Sequence, residues 1–246
     1  MGLKKGGNLY LGFLIVIAIF LIQINFVSAA IWQVDSAYAD NSGCVNPTFQ
    51  CKTIQAAINA AVMSDTINVA AGTYVEDLNI ASNKINLELK SQNAILRGAT
   101  LVDDSLGYYA DAPNILILSN GTKIHGFNLE TQPTTASKHA EMITLGASDV
   151  EIYNNSFKIA TGGDANNAPS VVLVTYCANV IGCSTPYSFV NISGLKIYNN
   201  TFNNLTGSGS YEAVYLNPDV GTGYVNIENN SFFGNLHRAI ANERSN

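Results

Sequence analysis

Three clusters of ionisable residues are the places in this chain where chemistry could occur. The first is acidic and contains Asp103, Asp104 and Asp111. Carboxylate oxygens at this spacing could hold Ca²⁺, which prefers such ligands. The alternative is a solvated acidic turn that binds nothing.

The other two clusters combine basic and acidic groups. Lys138-His139-x-Glu141 lies just before a predicted strand, where a histidine and a glutamate could transfer protons. His237-Arg238 lies near the end of the chain, where the arginine could supply a base. In both places a solvated surface charge cluster is the alternative, so these five residues are weak catalytic candidates.

A phrase that occurs three times must position any such site. It is found in Val150–Phe157, Leu195–Phe202 and Val225–Phe232, each time as apolar-x-Ile-x-Asn-Asn-Ser/Thr-Phe. The alternation of apolar and polar residues predicts a strand. The Asn pair predicts a turn, because asparagine tolerates the left-handed backbone conformation. Repeated strand–turn–strand units are typical of a solenoid, in which equivalent residues of successive coils stack in columns.

The repeats therefore predict three columns inside the stack. Ile152, Ile197 and Ile227 are expected to form an aliphatic column, and Phe157, Phe202 and Phe232 an aromatic one. Counting alternate positions from the isoleucines predicts that the first Asn of each pair points inward. We therefore expect Asn154, Asn199 and Asn229 to form a buried amide ladder.

That ladder bears on glycosylation, because the same three asparagines each begin an N-x-S/T sequon. Burial in a ladder favours a structural role for them. The sequons that begin at Asn120, Asn191 and Asn204 are then the better acceptors of a glycan.

Composition narrows the class of protein. The 246 residues carry 12% charged side chains and a net charge of −6, with 47% hydrophobic residues. A low charge with many small polar residues is typical of an extracellular β protein. The acidic balance argues against nucleic acid as a partner, which would require a basic stripe.

The N-terminus predicts export. Lys4 and Lys5 precede an apolar run from Leu9 to Ile24, and small residues follow at Val27–Ala30. Residues 1–30 are therefore expected to be a cleaved signal peptide. An uncleaved anchor helix is the alternative, and it would be the only contact with a membrane.

Four cysteines fit an oxidising compartment. Cys44 and Cys51 lie seven residues apart, and Cys177 and Cys183 six apart, so local pairing within each couple is the economical expectation. A zinc site is the rival interpretation of these cysteines. Neither couple, however, has a histidine or a second cysteine pair at the spacing that a zinc site needs.

One helix is predicted, from Thr53 to Val62. Thr53 is a suitable N-cap, and the apolar residues of this segment fall on one face at helical spacing. A short amphipathic helix before a run of strands suits the capping of the open first coil of a solenoid.

The segment from Cys51 to Glu76 resembles the N-terminal cap and first coil of the right-handed parallel β-helix, or pectin-lyase-like, superfamily. The motifs that carry the resemblance are Cys-Lys-Thr-Ile-Gln-Ala-Ala-Ile, Asp65-Thr-Ile-Asn-Val69 and Ala71-Gly-Thr-Tyr-Val-Glu76, and the Asn-Asn-Ser/Thr-Phe phrases resemble coil repeats of this superfamily. The resemblance implies an all-β fold for residues 31–246, a single-stranded right-handed parallel β-helix (solenoid) with an N-terminal capping helix.

The resemblance says little about activity, because one fold hosts many functions. The motif blocks of polygalacturonases, pectin methylesterases and pectate lyases have no match here, so no catalytic residue can be carried over. We therefore expect a secreted or cell-surface module that binds carbohydrate or mediates adhesion, with no certain cofactor beyond a possible Ca²⁺. A polysaccharide lyase or glycoside hydrolase is the alternative. A scaffold that only spans distance in a surface layer is a third class. Because the coil pattern is still running at Asn246, we expect a fragment of a longer protein; an end that pairs with a partner is the alternative.

A polysaccharide is the expected partner, bound by residues of the segments between the repeats. Tyrosine on a long face suits glycan stacking and polar bonding, although some of these rings could simply cover loop cores. The predicted binding residues are Tyr108, Tyr109, Tyr187, Tyr211, Glu212, Tyr215 and Tyr224.

Overall fold

The computed structural model describes most of the chain outside its N-terminus. The described residues are 28–98, 102–103, 114–130, 138–139, 142–159, 170–174, 192–204, 211–216, 223–234 and 236–242. They are mostly β-strand, as predicted, and the one helix among them is α1, Ile54–Ala60.

Three parallel sheets contain nearly all of the strands. Sheet A has eight strands, in the order β2-β1-β3-β6-β10-β14-β17-β20, and sheets B and C have six strands each. Sheet A consists of β1 (Ile31–Val34), β2 (Gln50–Cys51), β3 (Thr66–Val69), β6 (Glu88–Ser91), β10 (Lys123–His125), β14 (Glu151–Tyr153), β17 (Leu195–Tyr198) and β20 (Val225–Glu228). Sheet B consists of β4 (Thr73–Val75), β7 (Ile95–Arg97), β11 (Asn128–Glu130), β15 (Ser156–Ile159), β18 (Thr201–Asn204) and β21 (Ser231–Gly234). Sheet C consists of β5 (Leu78–Ile80), β9 (Ile115–Ile117), β13 (Ile143–Leu145), β16 (Ser170–Val174), β19 (Tyr211–Leu216) and β22 (Leu236–Asn242). Two further strands, β8 (Val102–Asp103) and β12 (Lys138–His139), pair antiparallel with each other.

From β3 onward the chain visits sheets A, B and C in the same order six times. We call each such passage a rung. Every strand pairs in parallel with the equivalent strand of the next rung, for example Ile124 with Ile152 and Ile152 with Ile197. Stacked parallel sheets of this kind are compatible with a parallel β-helix.

Two of the three predicted columns of the core, the aliphatic and the aromatic one, are confirmed. Ile152, Ile197 and Ile227 are register partners in sheet A, and the first two are fully buried. The rings of Phe157 and Phe202 stack at 4.7 Å, and those of Phe202 and Phe232 at 5.1 Å. Inward positions of the three sheets thus form one continuous hydrophobic core.

The helix begins where the sequence predicts. Thr53 is its N-cap, with a side chain that accepts a hydrogen bond from the Ala56 N–H at 3.3 Å. The Glu76 carboxylate accepts from the free N–H groups of Ile54 and Gln55, at 3.0 and 2.9 Å. A carboxylate at a helix N-terminus also complements the helix dipole. The apolar face of α1 belongs to the same buried cluster as the first rung, so the helix covers residues of the core.

The disulfide between Cys44 and Cys51 is confirmed, with a Cα–Cα distance of 4.5 Å. Cys177 and Cys183 lie outside the described residues, as do residues 1–27 of the predicted signal peptide. In the described part of the chain, no helix is both long enough and apolar enough to span a bilayer.

The buried amide ladder exists, but the second Asn of each pair forms it. Asn155 is 3% exposed and Asn200 1% exposed. Asn155 donates through Nδ2 to Asn200 Oδ1 at 3.2 Å, and Asn200 donates to Asn230 Oδ1 at 3.1 Å. Each amide also donates to a backbone carbonyl of the preceding rung, for instance Asn200 to Ile152 at 2.9 Å.

The prediction of Asn154, Asn199 and Asn229 as the ladder is therefore wrong. These residues are exposed and have φ angles of 54°, 56° and 54°, in the left-handed region. A left-handed residue turns the chain between sheets A and B, so alternate-position counting from the isoleucine fails at that residue. Burial consequently gives no argument against glycans on these three sequons, and their glycosylation stays untested.

Candidate functional site

The outer face of sheet A carries a row of rings. Ile124, Ile152 and Ile197 point into the core, so the residue after each of them points outward, because side chains alternate along a strand. These residues are His125, Tyr153 and Tyr198, which are register partners in β10, β14 and β17. We call them the aromatic row.

The rings of the aromatic row stack on one another. His125 and Tyr153 lie 4.4 Å apart between centroids with 12° between their planes, and Tyr153 and Tyr198 lie 4.9 Å apart with 2°. Both faces of the Tyr153 ring are therefore covered by its neighbours. A ligand can therefore reach the edge and the hydroxyl group of Tyr153 by hydrogen bonding, but it cannot stack on the face of this ring.

A second row on the same face alternates in charge. Glu88, Lys123, Glu151 and Lys196 are register partners in β6, β10, β14 and β17. Lys196 Nζ donates to Glu151 Oε1 at 3.1 Å. We call these four residues the charged row.

Hydrogen bonds join the two rows. Tyr198 donates its hydroxyl hydrogen to Glu151 Oε2 at 3.3 Å, and His125 Nε2 lies 3.1 Å from Glu88 Oε1. Glu88 also accepts from Thr66 Oγ1 at 3.0 Å and lies 3.8 Å from Lys90 Nζ. The side chains are held in place by one another while remaining partly open to solvent.

These contacts set the protonation states of the face. Partial burial and the neighbouring Glu151 carboxylate raise the pKa of the Tyr198 phenol to about 12. Burial by itself would raise the pKa of the Glu151 carboxyl, but the hydrogen bond from Lys196 and the charges of Lys123 and Lys196 outweigh it, so this pKa lies below its ordinary value. Burial would also raise the pKa of the Glu88 carboxyl, but the hydrogen bonds from His125 and Thr66 outweigh it. This pKa is therefore lowered as well. At neutral pH the face therefore presents ionised carboxylate acceptors beside protonated phenol donors.

A different pair of predicted residues meets in sheet C. Glu212 of β19 is the register partner of Arg238 of β22, and the two form an ion pair. Glu212 is 4% exposed, so its carboxylate faces the arginine rather than the solvent. A guanidinium held by a carboxylate keeps its proton, and arginine has a very high pKa to begin with. The pair therefore favours a structural role over a catalytic base at Arg238.

Of the other predicted residues, the backbone brings together Asp103 of β8 and Lys138 of β12, which are register partners. Tyr215 is half-buried and Tyr224 is 67% exposed, in different rungs. Lys138, His139, Asp103, Tyr211 and His237 lie in strands of which only the backbone is described. Asp104, Tyr108, Tyr109, Asp111, Glu141 and Tyr187 lie outside the described residues. Their predicted roles remain predictions.

No metal centre is visible in the described ranges, where no three His, Cys, Asp or Glu side chains come together in an arrangement that could hold an ion. Two of the three predicted calcium ligands, Asp104 and Asp111, lie outside those ranges, and the Asp103 side chain is not described. The calcium site is therefore still a prediction.

Sequence reasoning missed the outer face of sheet A, although the sequence holds a signal for it. The residue after the repeated isoleucine is Tyr in two of the three phrases, and a looser fourth version of the phrase, Lys123–Leu129, has His125 after Ile124. Aligning the outward positions of the repeats would have found the aromatic row. Glu88 could not have been found in this way, because its register with Lys123 depends on the length of an intervening segment.

Comparison with known proteins adds no relative: no family model, no curated protein and no solved structure matches this chain.

Proposed function

We propose that this chain is an exported right-handed parallel β-helix whose sheet A outer face binds polysaccharide, as a secreted or cell-surface module. The observation that carries the proposal is the aromatic row beside the charged row on one face of sheet A. The fold and the site are supported by separate observations.

The hand of the coil follows from a general rule. Connections that join parallel strands of one sheet are right-handed in about 98% of cases. Successive strands of sheets A, B and C are joined by such connections in every rung. Together with the cap formed by α1, this supports the resemblance to the pectin-lyase-like superfamily.

Recognition of a glycan fits the chemistry of the face. Phenol hydroxyls, ammonium groups and carboxylates are the groups that exchange hydrogen bonds with sugar hydroxyls. Successive groups in each row lie one rung apart, about 4.8 Å. The two rows thus offer a repeating ligand several equivalent contacts, which raises affinity through multiple weak interactions.

Export is supported by the Cys44–Cys51 disulfide, because disulfides persist mainly in oxidising compartments. The proposal keeps residues 1–30 as a signal peptide. The membrane is then a partner only if that segment stays uncleaved.

The alternative is a polysaccharide lyase or hydrolase of the same fold. It would place catalysis at Lys138, His139, Glu141 or His237, since Arg238 is held by Glu212. The two functions differ in turnover. A binding module leaves the polymer intact, whereas an enzyme releases new chain ends or unsaturated sugars.

The double variant Tyr153→Phe/Tyr198→Phe tests the site. It preserves the stacked rings and removes only the two hydroxyl groups. We expect the affinity for a bound polysaccharide to fall about tenfold, because each lost hydrogen bond costs about 0.5–1.5 kcal/mol. Affinity electrophoresis and calorimetry with a panel of soluble polysaccharides would measure it.

Tyr224→Phe is the matched control. The sequence predicts this exposed tyrosine as a binding residue, but it lies outside the aromatic row, and the proposed site does not use it. The affinity of this variant should equal that of the wild type. An unchanged affinity in the double variant, or a loss in Tyr224→Phe alone, would place the binding site elsewhere. Product release by the wild type would favour the enzyme.

A further inference from the structure

We infer that the sheet A outer face selects neutral, hydroxyl-rich polysaccharides over acidic ones, and that the polymer lies along the rows, across the strands. This inference rests on the proposed function and specifies its ligand.

The charges of the face cancel. From β3 to β20 its outward positions hold three carboxylates, those of Glu88, Glu151 and Glu228, and three ammonium groups. The ammonium groups belong to Lys90, Lys123 and Lys196. An acidic polymer would need surplus positive charge to offset the desolvation of its carboxylates, and this face has none.

The carboxylates of Glu151 and Glu88 are also engaged within the face. Glu151 is bonded by Lys196 and Tyr198, and Glu88 contacts His125, Thr66 and Lys90. A polyanion that captured Lys196 would separate this lysine from Glu151 and leave that carboxylate next to the bound polymer. A hydroxyl group can instead donate to a carboxylate and accept from a lysine or phenol without breaking the pair.

The whole chain adds to this discrimination. It has 18 acidic and 12 basic residues, and its net charge of −6 repels a polyanion at low ionic strength. A neutral polymer is not affected by that field.

The direction of the polymer follows from the repeat of the groups. Along a strand, outward side chains of sheet A alternate between the two rows. Across the strands, rings recur in β10, β14 and β17, and carboxylates alternate with ammonium groups from β6 to β17. From Glu88 to Lys196 the charged row spans three rung spacings, about 14 Å. A polymer with a repeating arrangement of hydroxyl groups can meet the same donors and acceptors several times only if it runs along the rows.

Binding of the full chain to two classes of polymer tests the inference. The probes are hydroxyethyl cellulose and a soluble mannan as neutral polymers, and polygalacturonate and alginate as acidic ones. We expect at least about tenfold tighter binding to one of the neutral polymers. That affinity should stay within about twofold in 0.5 M salt, where exposed charges are screened over a few ångströms.

Two variants that each lose one negative charge complete the test. Glu151→Gln leaves positive charge in excess on sheet A and is expected to raise affinity for the acidic polymers about fivefold at low salt, with the gain lost in high salt. Glu130→Gln is the control, because Glu130 pairs with Arg97 on sheet B. It should not change binding to either class.

The outcomes separate the two claims. If the wild type prefers an acidic polymer with strong salt dependence, the inference is wrong and the proposed function stands. If no polysaccharide of either class binds, the proposed function itself fails. If Glu130→Gln gains affinity for polyanions and Glu151→Gln does not, the ligand does not lie on sheet A.

Discussion

Replacing Asn200 with leucine is expected to lower the free energy of unfolding by about 3–5 kcal/mol. The Asn200 side chain accepts hydrogen bonds from the N–H and Nδ2 of Asn155, at 3.0 and 3.2 Å, and donates to Ile152 O and Asn230 Oδ1. Leucine has a similar size but no polar atom. Several buried groups would lose their partners, and each costs about 1–3 kcal/mol when left unsatisfied.

Asn199→Gly is the matched control for this change. Asn199 is the adjacent residue, is exposed, and has a φ of 56°, which glycine adopts without strain. Its effect should stay within about 1 kcal/mol. Denaturant unfolding of both variants measures the difference in the free energy of unfolding. The slope m should be the same for both, so that the comparison is valid. A larger loss in Asn199→Gly than in Asn200→Leu would restore the first asparagine as the ladder residue.

Gly126→Ala is expected to be the most damaging small substitution, with a loss of about 3 kcal/mol or more. Gly126 has a φ of 79°, and a Cβ atom there would lie 2.1 Å from the backbone oxygen of Ser91 in the preceding rung. The left-handed conformation costs a residue with a side chain about 1–2 kcal/mol. Overpacking against a backbone atom that cannot rotate away adds about 1–3 kcal/mol.

The control for Gly126 is Gly72→Ala. A Cβ atom at Gly72 would lie 3.3 Å from the Ser36 hydroxyl oxygen, at the end of a side chain that can rotate. We expect the free energy of unfolding of this variant to stay within about 1 kcal/mol of the wild type. Thermal unfolding of the two variants side by side tests the account of the turn. Equal stabilities would show that the close approach of Ser91 does not constrain Gly126.

Much of the fold could be predicted because the repeats fix the stacking. Once Ile152 and Ile197 are equivalent, parallel pairing places all of their neighbours in columns, and the phenylalanine column follows. The cap at Thr53 and the Cys44–Cys51 bridge depend on short-range chemistry, which is readable from local sequence. Each of these features needs only contacts between nearby residues or between repeats.

The ladder was misassigned because a turn interrupts the alternation that defines inward and outward positions. Both Asn154 and Asn155 are compatible with a turn, and only the backbone conformation decides which of them takes the left-handed position. The hydrogen bond from Asn155 to Asn200 depends on the register between two rungs, which the sequence alone does not give.

The site was missed for a different reason. A search for unusual residues looks in the segments between repeats, whereas the aromatic row is part of the repeats themselves. Its members are separated by 28 and 45 residues, and pairing across rungs brings their rings within 5 Å. The partnership of Glu88 with His125 depends on the same register over 37 residues.

Hydroxyl-radical footprinting of the full chain with and without a bound polysaccharide tests the central claim most directly. Oxidation depends on solvent access, and mass spectrometry resolves it residue by residue. We expect the polymer to protect Tyr153 and Tyr198, while Tyr224, which is 67% exposed and outside the aromatic row, keeps its reactivity. Protection of Tyr224 with unchanged oxidation of Tyr153 and Tyr198 would contradict a binding site on the outer face of sheet A.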